Sequence, residues 1–150
     1  MKNIAAVLLL ASSLALSGCG SNSNGMGNIN GTWNATLTDS GAEALAFVTN
    51  LTVNGDGSLG TSSLNITVNN TTCGFPTVTE TGTFTLSGNF NGQVSGKFHY
   101  VLNSTGTSLS TLTLDGTVSG GKITGTWTVA GTNGGCHGNG TFTMTPMAAA

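Results

Sequence analysis

The chain has 150 residues, 24 of them Gly, with 5% charged residues, a formal net charge of −2 and no arginine. Three lysines scattered along the chain form no basic patch, which excludes nucleic-acid binding through phosphate neutralisation. Glycines dispersed among Thr, Ser and Asn, with regularly alternating apolar residues between them, point to an ordered β-rich protein and away from a disordered one.

Met1-Lys2-Asn3 is a short positively charged start, residues 4–16 are a mostly apolar run, and small residues follow, the pattern of a secretory signal peptide. The run is about 13 residues, short of the roughly 20 that a membrane-spanning helix needs. Leu16-Ser17-Gly18-Cys19 closes it. These four residues resemble the lipobox of bacterial lipoproteins. The resemblance implies that the signal 1–18 is cut off, that Cys19 carries a thioether-linked diacylglycerol, and that the new N-terminus is acylated, by palmitate or a similar chain. Burial of acyl chains stabilises attachment by about 0.8 kcal/mol per CH₂, so more than one chain makes a lasting membrane anchor. Gly20 stands where an Asp would favour inner-membrane retention in such lipoproteins, so the resemblance implies the outer membrane. Residues 19–30 then read as the lipidated cysteine and a flexible tether, since they carry no periodic apolar pattern.

From residue 31 to 146 the apolar residues keep one parity within each short run, the period of β-strands. In chain order the inward candidates are Trp33, Ala35 and Leu37; Leu45, Phe47, Leu51 and Val53; Leu64, Ile66 and Val68; and Val78, Phe84 and Leu86. Then come Val94, Phe98, Tyr100 and Leu102; Leu112, Leu114 and Val118; Ile123, Trp127 and Val129; and Phe142 with Met144. Asn54-Gly55, Asn91-Gly92 and Gly120-Gly121 are hairpin signals, because tight turns need the positive φ that Gly and Asn tolerate. Short connections join antiparallel neighbours, so the pattern predicts one all-β domain, an eight-stranded antiparallel up-and-down meander barrel, with 147–150 as a tail.

Gly-x-aromatic recurs as Gly31/Trp33, Gly82/Phe84, Gly96/Phe98, Gly125/Trp127 and Gly140/Phe142. A glycine on the inward face lets a strand coil sharply while a nearby ring covers the space it leaves, a device suited to a closed barrel. Gly31-Thr32-Trp33 on the first strand is similar to the G-x-W that opens lipocalin and avidin-like barrels, which implies the same architecture. The avidin set of polar biotin contacts is not recognisable, so biotin binding is not carried over. The same parity also describes a transmembrane barrel with its apolar face turned to lipid, but the Thr/Ser/Asn face, the interspersed glycines and the lipobox favour the water-facing form.

Cys73 and Cys136 remain once Cys19 is assigned. In an exported chain an even pair points to a disulfide, worth about 4 kcal/mol on the chain-entropy model, with two free buried thiols as the alternative. Gly55-Asp56-Gly57-Ser58-Leu59-Gly60 satisfies G-x-G-x-x-G, but a β-branched alternating run follows it where a dinucleotide site needs a helix. No acidic residue closes Asn54-x-Asp56-Gly57 into a calcium loop. His99 shares its parity with Lys97 and Val101 and points outward, and His137 sits beside Cys136 without the spacing of a zinc site. Glu80 has the parity of Val78 and Phe84. It is either an inward carboxylate in need of a partner or a barrel-mouth residue in water.

No nucleophile motif or carboxylate pair can be drawn, so neither a catalytic residue, a metal nor a cofactor is expected. The expectation is a non-enzymatic envelope lipoprotein on the outer membrane, held there by its N-terminal lipid. It would bind a small apolar ligand or a protein partner at the barrel mouth or on an outer sheet face. Trp33, Phe47, Phe84, Phe98, Tyr100, Trp127 and Phe142 would line or fill the interior, with filling favoured because eight strands enclose little more than their own side chains. The alternative is a structural or surface-display lipoprotein with a fully packed barrel.

Overall fold

A computed structural model describes residues 29–75, 78–90, 93–105, 109–132 and 136–148. The signal peptide, Cys19, the tether up to residue 28 and the Asn91-Gly92 turn signal lie outside the described residues. Eight strands follow one another: β1 (Gly31–Asp39), β2 (Ala42–Val53), β3 (Leu59–Asn69), β4 (Val78–Phe90), β5 (Gln93–Ser104), β6 (Ser110–Ser119), β7 (Lys122–Gly131) and β8 (His137–Pro146). They form one antiparallel sheet, ordered β3-β2-β1-β8-β7-β6-β5-β4, curled into a nearly closed barrel.

Chain neighbours are sheet neighbours with one exception. The first and last strands pair, from Trp33 opposite Pro146 to Thr38 opposite Thr141, while β3 and β4 share no ladder. These two meet at an isolated bridge between Ser58 and Thr83, where the Phe84 N–H donates to the Gly57 carbonyl at 2.8 Å. The reason is the connection between them. Instead of turning tightly, it is drawn over one end of the barrel. The Asn70 N–H donates to the Ala44 carbonyl at 2.8 Å, Asn69 Nδ2 to the Cys73 carbonyl at 2.8 Å, and Cys73 is 2% exposed. Cys73 is disulfide-bonded to Cys136, just ahead of β8, with the two Cα atoms 4.9 Å apart. A connection pulled inward in this way cannot zip the strands it joins.

Two hairpins close in two-residue turns whose central residues both have positive φ, Ser40-Gly41 at 51° and 86° and Gly120-Gly121 at 59° and 73°. This turn matches the twist of the flanking strands. Between β2 and β3 the residue at positive φ is Gly57 (83°), not Gly55, because the loop is longer than the Asn54-Gly55 signal suggests. Asp56 Oδ1 accepts from both the N–H and the hydroxyl of Ser58, at 2.9 and 2.7 Å. The Ser58 hydroxyl first, and its N–H second, hold the Asp56 carboxyl below the usual carboxylate range, so this carboxylate serves the turn.

The apolar parity faces inward and the Thr-rich parity outward on the strands. Leu86 departs from this, 48% exposed where a bulge after it interrupts the β4–β5 register at the barrel rim. Ile29 and Asn30, read as the end of the tether, belong to the barrel. Ile29 is 1% exposed and its carbonyl accepts from Trp33 Nε1 at 2.9 Å, and Asn30 Oδ1 takes the Val53 N–H at 2.7 Å. An isolated apolar residue carries no period, but burying it plugs the end of the barrel opposite the disulfide.

Candidate functional site

Inside the barrel Trp33, Phe47, Phe84, Phe98, Tyr100, Trp127 and Phe142 are all buried, none more than 4% exposed. Four of the rings form a chain, with Tyr100 centred 6.3 Å from Phe47 and 5.8 Å from Phe98, and Phe98 6.4 Å from Phe142. Their placement explains the glycines. Where a ring covers a glycine it comes from another strand and not from two residues along: a Cβ on Gly82 would lie 3.1 Å from Tyr100 Cδ2, one on Gly116 2.8 Å from Phe142 Cζ, and one on Gly140 2.8 Å from Trp127 Nε1, whereas Gly125 meets only the backbone of Asp115 and Gly116. Trp127 lies across Gly140 to donate its indole N–H to the Thr38 carbonyl at 3.1 Å.

Glu80 faces inward and its partners are hydroxyls. Tyr100 donates to Glu80 Oε2, and Thr49 Oγ1 reaches the same oxygen at 3.3 Å and the Tyr100 hydroxyl at 3.1 Å. Tyr100 and Thr49 are both fully buried. Burial above all, and then the hydrogen bond to Glu80, push the Tyr100 phenol far above its ordinary range. The cluster ties β4 to β2 and β5 beside the seam where the backbone ladder is missing. Thr49 escaped the sequence reading. Its signal was its parity, between Phe47 and Leu51, which only an inward position explains.

On the outer face, β4 to β7 form an open depression of about 670 Å³. Its floor is Gly116 paired directly with Gly125, and its walls carry Thr83, Thr85, Thr117, Thr124 and Thr126 with Lys97, His99 and Asp115. A Cβ on Gly116 would lie 2.6 Å from the Thr124 carbonyl and one on Gly125 2.5 Å from Gly116 Cα, so only glycine lets the strands sink here. His99 stands opposite Asp115 in the β5–β6 register, and its Nδ1 lies 2.6 Å from Asp115 Oδ1. Both are solvent-exposed, 46% and 65%, so the pair orients the imidazole more than it stabilises the fold. Thr83 stands opposite His99 on the other side, but among the described residues no hydrogen bond joins its hydroxyl to the ring. The depression therefore presents hydroxyls, one ammonium, one carboxylate and a held imidazole around Phe98. His99 was legible as outward-facing from parity, whereas its pairing with Asp115 depends on a register that parity alone does not set.

His137 is exposed at the start of β8, and no cluster of metal-ligating side chains occurs among the described residues. Comparison with protein-family models, with curated proteins and with solved structures finds no match to this chain.

Proposed function

We propose that the chain is a non-enzymatic lipoprotein of the bacterial outer membrane, anchored through Cys19, whose barrel binds a protein partner through its outer face. The lipobox resemblance of Leu16-Ser17-Gly18-Cys19 supports the anchor. The outer depression over Gly116 and Gly125 carries the binding reading, since it is open, offers hydroxyl and charged groups beside Phe98, and is floored by two glycines that no larger residue could replace. A small apolar ligand is less well supported, because the interior it would occupy is taken up by buried rings. The filled interior is also what a purely structural lipoprotein would have, which makes that the second reading.

The test has two arms in cells. Metabolic labelling with a palmitate analogue should mark the wild-type chain and not Cys19→Ser. Absence of label on the wild type sinks the anchor. A photo-crosslinking residue at Thr126, in the depression, should yield a discrete cross-linked species that one at Asn34, on the far side of the barrel, does not. Equal products at both positions, or none at either, would favour the structural reading.

A further inference from the structure

Two covalently remote parts of the chain meet at one end of the barrel. Residues 70–75 cross that end from the last residue of β3, and the disulfide fastens them to the start of β8. Below them lies the seam between β3 and β4. Every other neighbouring pair is joined by a ladder, the shortest being the six residue pairs of β1 with β8, whereas among the described residues the seam has the single Ser58–Thr83 bridge. Leu59 and Phe84 are buried near that bridge, but farther along the seam the apolar side chains are less covered. Leu64, Ile66, Phe75 and Val78 are only half-buried, while the inward residues of β6, β7 and β8 from Leu112 to Met144 are at most 4% exposed wherever they are large and apolar. Beside the seam, the disulfide fastens the segment that leaves β3 to the start of β8, and Glu80 in its hydroxyl cage fastens β4 to β2 and β5.

We propose that the Cys73–Cys136 disulfide is a redox latch, and that a dithiol reductant opens the barrel along the β3–β4 seam without unfolding the rest. Cys136 is the more exposed cysteine of the pair, half-buried where Cys73 is 2% exposed. A thiolate of the reductant attacks Cys136 Sγ and breaks the S–S bond. Cys73 leaves as a thiolate and takes a proton. The second thiol of the reductant then attacks its own sulfur in the mixed disulfide, releasing Cys136 as a thiolate and leaving the reductant oxidised by two electrons as a disulfide. The freed segment keeps its ties to β2 through Asn70 but loses its tie to β8. Local opening follows the weakest line of the sheet, as sub-global openings do. It uncovers Glu80, Thr49 and Tyr100 to solvent through the seam.

The full chain in mild detergent, oxidised or treated with dithiothreitol, is compared by hydrogen exchange. Reduction should speed exchange about tenfold or more in 59–69 and 78–90 while 110–131 keeps its protection. Tyr100 is the one tyrosine, so its phenolate absorbance reports the same event from inside the barrel, silent when oxidised and titrating in the ordinary range near pH 10 when reduced. Cys73→Ser/Cys136→Ser, without reductant, should reproduce the reduced pattern. Should that variant fail to fold, the reduced wild type alone decides. Unchanged exchange at the seam, or loss of protection spread evenly over all strands, would overturn the latch.

Discussion

Tyr100 shows how a single buried hydroxyl couples chemistry to stability. Its phenol is fully buried and donates to Glu80, so the folded protein resists its ionisation while the unfolded chain ionises near pH 10. A group whose folded pKa is raised contributes stability that is complete below the unfolded value and is lost as pH rises above it. The barrel should therefore weaken progressively above about pH 10, and the phenolate signal and the loss of β-sheet circular dichroism should appear together. In the disulfide-bonded protein, a phenolate that titrates near pH 10 while the sheet remains intact would contradict this burial. Among the described residues Glu80 has no lysine beside it, since Lys97 and Lys122 are both on the outward face. Parity alone had left Glu80 between an inward and a mouth position, because it says which way a side chain points but not what awaits it there.

At the scale of strands, the glycines matter as much as the rings. Gly140 lies under Trp127 and against the Thr38 carbonyl, and a methyl group there would displace the indole from its hydrogen bond. Gly140→Ala should cost about 3 kcal/mol in urea unfolding, whereas Gly55→Ala, with nothing within 4 Å of the added carbon, should stay within about 0.5 kcal/mol. Equal shifts would mean that the ring does not depend on the gap. All eight strands and the facing of Trp33, Phe47, Phe98 and Trp127 were legible in the sequence, because period two is set by the pleat itself. The partner of each glycine was not, since Trp127 covers Gly140 only through the β7–β8 register. The position of the seam was hidden for a similar reason. Cys73 announced a disulfide, but not that its loop would be drawn across the barrel end and keep β3 from β4.

For the whole molecule, the place of the seam has a consequence for folding order. Thr38 and Thr141 face each other although 103 residues separate them along the chain, so the β1–β8 ladder is the most distant contact and cannot form until the last strand has been made. Meanwhile every other ladder joins strands adjacent in sequence. Topologically the barrel is a simple eight-strand meander that starts at β4 and ends at β3, cut open in its middle. Its natural ends lie side by side, with the Met147 N–H donating to the Thr32 carbonyl at 2.8 Å. A circular permutant that joins those ends and opens the chain between Phe75 and Val78 turns the one non-local ladder into a local hairpin. Lower contact order speeds folding, so the permutant should refold about tenfold faster or more by tryptophan fluorescence in stopped flow. Equal rates would place the rate-limiting step elsewhere. In the natural chain order, the strand that closes the ring is the last of the eight to be synthesised, and the barrel must wait for it.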